Sequence, residues 1–216
     1  MHAVSVNIAR PRSNPWKSAA KTGIDKRPVT GPVAVSAPDS PSGSGAGGDF
    51  IGDREHHGGP AQAVYAYASE DYGFFSELLG RDLGPGRFGE NLTTEGVDLN
   101  SLVLGQRIRV GPSVVLEATG PRIPCGTFRG WMDVPGWLKT FTAEERPGTY
   151  FAVAEAGEIR AGDAITVLGE PGHGVTVARF FRAYMRDREE LRRIAEPPGL
   201  PEYTKQELAE ALNPAP

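Results

Sequence analysis

The chain has 216 residues, 39% of them hydrophobic, with a formal net charge of −4 and a pI near 5.6. That length supplies one well-buried core with room for a small appendage, and the acidic balance argues against a nucleic-acid binder, which is normally basic. A single cysteine excludes an internal disulfide and any site needing two thiolates. No apolar run approaches the ~20 residues of a membrane span, and MHAVSVNIAR lacks the charged start and long apolar stretch of a signal peptide, so a cytoplasmic protein without membrane contact is expected.

In chain order, Val4, Val6 and Ile8 alternate with small or polar residues and predict a strand over 3–9. A basic loop follows, with Arg10, Arg12, Lys17, Lys21, Lys26 and Arg27 against Asp25 alone. Such a patch suits a small anionic ligand or is simply a solvated loop. Val29, Val33 and Val35 indicate an extended segment interrupted by Gly31-Pro32. Residues 36–49, SAPDSPSGSGAGGD, predict a flexible loop, exposed and mobile over 38–48. AQAVYAY at 61–67 reads as a buried strand. Ser69 is placed to cap a helix through about Leu79, with Glu70 and Asp71 in its first turn, Gly80 at its end and an apolar face from Phe74, Phe75, Leu78 and Leu79. Short strands are expected at 90–94, 106–110, 113–119, 149–155 and 163–168, and a helix within 135–145. VTVAR at 175–179 reads as a last strand. The charged remainder predicts three short helices near 180–186, 187–195 and 203–212, serving packing or dimerisation. The fold class is mainly β with α (α+β): a compact barrel of short strands with peripheral helices and a helical extension.

Three segments can carry chemistry. In PRIPCG at 121–126, two prolines stiffen the approach to Cys125, and Arg122 can favour the thiolate, the form that acts as nucleophile or metal ligand. A buried structural cysteine is the alternative. In His56-His57-Gly58-Gly59, the glycines can turn backbone N–H groups toward an anion beside His57, or merely form a sharp turn. In RFGENLTT at 87–94, Asn91 can both donate and accept, as recognition of a polar ligand edge requires, or it can make a local turn bond. Gly84-Pro85-Gly86 is no phosphate loop, and no Gly-x-Ser-x-Gly elbow is present.

Taken together and in order, KTGIDKRPV at 21–29, GDREHHGGPAQAVYAY at 52–67, PGRFGENLTTEG at 85–96 and PRIPC at 121–125 resemble the MOSC family, named for the C-terminal domain of molybdenum cofactor sulfurase. The resemblance covers nearly the whole chain. It is strongest to the stand-alone bacterial, YiiM-like branch, whose three-helix appendage the tail resembles. It implies a small closed β-barrel of the pyruvate-kinase barrel-domain type over residues 1–174 and a three-helix extension over 175–216. It also implies a molybdenum cofactor of the molybdopterin type, with Cys125 as molybdenum ligand or sulfur carrier. Lys21, Arg54, His57, Gly58, Gly59, Glu90, Asn91 and Arg122 lie in the matching motifs and are the candidates for lining the site. Some members of the family reduce N-hydroxylated small molecules with electrons from a partner. This chain has no cysteine set for an iron–sulfur cluster and no nucleotide fingerprint, so a separate electron-donor protein is expected. Two functions stand open: a molybdenum-dependent reductase, or a non-catalytic carrier of the cofactor or of a persulfide on Cys125.

Overall fold

The computed structural model describes residues 1–213. Its strands are β1 (His2–Ala9), β2 (Arg12–Ser13), β3 (Lys21–Thr22), β4 (Lys26–Pro28), β5 (Val33–Val35), β6 (Val64–Ala68), β7 (Leu92–Glu95), β8 (Arg107–Val110), β9 (Val114–Pro121), β10 (Thr149–Glu155), β11 (Gly157–Ile159) and β12 (Ile165–Val167). The helices are α1 (Ser69–Leu79), α2 (Gly126–Met132), α3 (Trp137–Glu144), α4 (Val177–Arg186), α5 (Arg188–Ile194) and α6 (Glu202–Leu212). Eight strands form one sheet in the order β12-β8-β9-β10-β6-β7-β1-β4. Its β6–β7 pair is parallel and joined through α1, the crossover that parallel neighbours require.

The expected closed barrel is not found as a continuous ladder. The start of β1 reaches the β12 edge through one bridge, His2 to Ala164, and the bonds Ala3 N–H to Asp163 O (2.9 Å) and Ile165 N–H to Met1 O (3.0 Å). The fold is a mixed α/β structure with one large curled sheet. Most expected strands and helices lie within a few residues of their predicted places. The expected strand at 175–179 is instead a helix start: Thr176 occupies the N-cap, and its hydroxyl accepts from the Arg179 N–H at 3.1 Å. Ser69 does not cap α1; Ala68 holds that position, and Gly80 ends the helix in the left-handed region at φ 60°.

β6 shows how the core is divided. Its sequence VYAYA is buried at every position. Side chains alternate across a strand, so Val64, Ala66 and Ala68 enter the aliphatic core, with Leu92, Leu116 and Phe151. Tyr65 and Tyr67 enter a second, aromatic core with Phe75, Phe88, Phe128, Trp137 and Phe141. Phe180 and Leu208 of the C-terminal helices join the aliphatic core, and Phe181 joins the aromatic one.

The loop at 38–48 is exposed at residues 39–41 and 47–48, as its composition predicts, but its centre is anchored to the fold. Ala46 is buried and bridges Val35, Gly45 N–H donates to Ala63 O (2.7 Å), and Gly47 N–H donates to Ala34 O (2.8 Å). The loop ends at Asp49, whose carboxylate is almost fully buried. It accepts from Lys26 Nζ (2.6 Å), Ser44 Oγ (2.9 Å), Asn91 Nδ2 (2.9 Å) and the Ala9 N–H (2.9 Å). Burial pushes this carboxyl up. The Lys26 charge and the hydrogen bonds from Lys26, Asn91 and Ala9 more than offset that, and hold it below the ordinary carboxylate value.

Removing one partner of a buried pair leaves the other charge uncompensated, so Asp49→Ala is expected to destabilise the fold by about 3–5 kcal/mol, read as a fall in urea midpoint. A depressed carboxyl contributes stability above its unfolded value that is lost as pH falls through the folded one. The difference between wild type and variant should therefore shrink on acidification below about pH 4. Limited proteolysis should spare 38–48 in the wild type and open it in Asp49→Ala; early cleavage there in the wild type contradicts the pinned loop.

Candidate functional site

A cavity of about 110 Å³ opens between the N-terminal strands, the 49–53 segment, the 57–58 turn and the start of α2. Ligand pockets usually measure about 300–1,000 Å³, so the enclosed part admits the reacting end of a ligand and leaves the rest in the mouth. Backbone contact builds one wall. A Cβ on Gly23 would stand 1.9 Å from Phe50 O, so the glycine of the KTG motif lets residues 22–24 lie against residues 50–52.

Cys125 lines this cavity, half-buried, at the N-cap of α2, a helix absent from the sequence prediction because Gly126 and Gly130 dilute its apolar pattern. Burial pushes its thiol up, but His57 and the Arg122 charge outweigh that. The Phe128 N–H, short of a formed cap bond, adds to them, and the pKa is held at about 6. Cys125 is therefore largely thiolate at neutral pH. Asn14 Nδ2 donates to Thr127 Oγ1 (3.3 Å) and ties the N-terminal loop to the first turn of α2.

Arg122, only 5% exposed, also lines the cavity. Its guanidinium carbon lies 3.4 Å from the Phe128 ring centroid. Nη1 is buried without a hydrogen-bond partner, and no carboxylate pairs with this arginine among the described residues. The Cys125 thiolate offsets its charge in part, and an anionic ligand in the cavity would satisfy the nitrogen left without a partner. Tyr150, on the same lining, is pushed up to about 12, first by burial and also by Cys125, against the opposing effect of Arg122. It stays a neutral phenol and a donor.

The other candidates separate. His57, Gly58 and Asn91 line the cavity with Cys125 and Arg122. Lys21 does not: it is exposed on β3, opposite Ser13. The cations beside the cavity are Lys26, paired with Asp49, and Lys17, whose Nζ lies 2.9 Å from Asp53 Oδ2. The Cys125 charge contributes to raising Lys17, after its bond to Asp53. Arg54 is exposed in a turn and does not line the cavity. The Gly58-Gly59 pair offers no free donors: Gly58 N–H donates to Gln62 Oε1 (3.2 Å) and Gly59 N–H to Gly43 O (2.8 Å). Gly59, at φ 83°, is glycine because a Cβ would meet Pro41 O at 2.2 Å. Glu90 is a buried scaffold carboxylate, not a lining residue. It accepts from Tyr72 Oη (2.7 Å), Thr93 Oγ1 (2.8 Å) and the Gly86 N–H.

Sequence reading missed Asp49, Gln62, Tyr65 and Tyr150 on this lining. Gln62 and Tyr65 lie within the motif at 52–67 and Asp49 closes the Ser/Gly run, whereas nothing around Tyr150 marks it. Among the described residues no group of three or more His, Cys, Asp or Glu is placed to hold a metal ion. A metal bound here would take one thiolate from the protein and its other donors from the ligand. The thiolate and the orphaned guanidinium fit an anionic, sulfur-rich metal group.

Alkylation of Cys125 by iodoacetamide should rise with a midpoint near pH 6. Arg122→Gln and His57→Ala should each move that midpoint upward; a midpoint above pH 8 in the wild type would refute this electrostatic account.

The MOSC domain model matches residues 53–166. The uncharacterized protein YflK of Bacillus subtilis is 30% identical over 88% of this chain and 84% of its own length. A protein named "Reductase" from Gibberella moniliformis is 30% identical over 83% of this chain, which spans only 31% of that longer protein. In structure, YiiM of Geobacillus stearothermophilus superposes with a TM-score of 0.76 at 26% identity, covering 98% of both chains. No helix among the described residues is long and apolar enough to cross a membrane. With the model match spanning more than half its length and the motifs gathered at one cavity, the chain belongs to the MOSC domain family.

Proposed function

We propose that this protein is a molybdenum-cofactor-dependent reductase of N-hydroxylated small molecules, with Cys125 as the molybdenum ligand. The observation that carries the reading is the pairing, on one cavity, of a thiolate with a buried guanidinium that has no carboxylate partner. The family's association with this cofactor and the relative named as a reductase support it.

When bound, the cofactor would supply a redox-active metal centre. The reaction consumes two electrons and two protons, converting R–NHOH to R–NH₂ and water. The chain's own residues do the rest. Cys125 offers a soft donor. Arg122 neutralises anionic charge, and its stacking on Phe128 fixes its direction. Tyr150 carries a neutral hydroxyl that can hydrogen-bond the departing oxygen. Ile24 and Phe88 line the cavity with apolar surface and keep water from the reacting end. The electrons come from a separate donor protein, and the setting is cytoplasmic.

Protein from a cofactor-producing host should carry molybdenum by elemental analysis and oxidise reduced methyl viologen when given an N-hydroxylated amidine. Cys125→Ser should lower metal content and turnover by about 100-fold or more with little change in melting temperature. Metal without turnover, or a persulfide on Cys125 without metal, points instead to a carrier. An active Cys125→Ser protein rejects both.

A further inference from the structure

We infer that the surface beside the cavity mouth, centred on Arg12, Arg27, Arg81 and Arg87 around Trp131, is the docking site for an acidic electron-donor protein. The inference rests on the reductase reading above. The guanidinium carbons of Arg12 and Arg87 lie 5.1 and 4.4 Å from the Trp131 ring centroid, one indole serving two cations. Arg87 Nη2 donates to Trp131 O (3.0 Å) and Arg81 Nη2 to Met132 O (2.8 Å). Those carbonyls carry no net charge. The carboxylate paired with this group is Asp25, which meets Arg27 at 2.7 Å and Arg12 at 3.8 Å. Asp82 and Asp133 adjoin in sequence and, among the described residues, form no ion pair with it. Arg81 Nε is buried without a partner. Burial, then the charges of Arg81 and Arg27, depress Arg87 below its ordinary value, so the cations feel one another.

Capping the carbonyl end of α2 accounts for Arg81 and Arg87. It does not account for Arg12 and Arg27, which are about half exposed and reach the same place from the N-terminal strands. In a chain of net charge −4, this is a local concentration of positive charge. It also borders the cavity. Asn14, Ile24 and Phe88 line the cavity and are sequence neighbours of Arg12, Asp25 and Arg87, and Trp131 lies on the helix that Cys125 caps. A partner seated here lies next to the elements that line the cavity. Complementary rim charge sets association rate and orientation, which is what transient electron delivery needs. A nucleic acid fits less well, because a carboxylate stands within the patch and the protein as a whole is anionic.

The test uses an acidic plant-type 2Fe–2S ferredoxin as probe, with methyl viologen as a small cationic control donor. Arg12→Glu and Arg27→Glu alter exposed residues outside the catalytic machinery. Arg160→Glu makes the same charge change in the turn before β12. At about 0.01 M salt, each patch reversal should weaken ferredoxin binding and ferredoxin-driven turnover by about tenfold. The effect should fade at about 0.15 M, where the screening length falls to about 8 Å. Viologen-driven turnover should be unchanged in all three variants, and Arg160→Glu should bind ferredoxin like wild type. Equal binding by wild type and Arg27→Glu overturns the docking site, as does tighter binding of a single-stranded oligonucleotide than of ferredoxin. If wild type shows no viologen-driven turnover, the reductase reading fails by itself. The binding measurement, which needs no turnover, still decides whether the patch receives an acidic protein.

Discussion

The buried carboxylate of Asp49 is the constraint on which the rest of the site depends. One side chain joins the end of β1 through the Ala9 N–H, β4 through Lys26, the Ser/Gly loop through Ser44, and the entry to β7 through Asn91. Ala9, Lys26 and Asn91 are far from Asp49 in sequence. A desolvated ion pair holds them only because every lone pair is answered by a donor; a buried charge with fewer partners would not stay ionised. With the loop pinned there, the Gly58-Gly59 turn packs onto Pro41 and Ser42, and His57 is carried to the thiol.

Charge around the cavity serves two ends, told apart by whether it is paired. Lys26 with Asp49 and Lys17 with Asp53 are closed pairs that fix backbone. Asp53, pushed up by burial, is held at about 2 by its bonds to His56 and Lys17, and so anchors the turn that bears His57. Arg122 is left open toward the cavity and Cys125 is held as thiolate. A scaffold that neutralises its own charges while leaving one cation and one soft anion facing inward presents the two groups on which the proposed function rests.

The aromatic core supports this arrangement mechanically. Phe128 carries the Arg122 guanidinium on one side and meets Phe88, Trp137 and Phe141 at centroid distances of 5.2, 5.4 and 5.1 Å. α2 is short, and packing rather than helix propensity keeps it in place. Because Phe181 of α4 joins the same cluster, the C-terminal helices reach the site through contiguous packing.

Much of the fold was legible in the chain itself. The alternation of β1, the Val/Ala/Tyr pattern of β6 and the glycine after α1 each report a local geometric demand, and local demands are written in neighbouring residues. Cys125, His57, Asn91 and Arg122 were legible as candidates because their motifs combine rigid or glycine-shaped backbone with reactive side chains. Sequence could not say which cations face the cavity. Lys21 and Lys26 sit in one basic run, and strand pairing alone turns Lys21 to solvent and buries Lys26 against Asp49. It also could not show that a Ser/Gly/Pro run is anchored at its centre and end, since the partners that hold it lie tens of residues away, nor that Glu90 spends its carboxylate on Tyr72 and Thr93. Periodicity and turn chemistry are short-range and readable. Burial of a charge is decided by what the folded chain brings beside it, and only the tertiary structure supplies that.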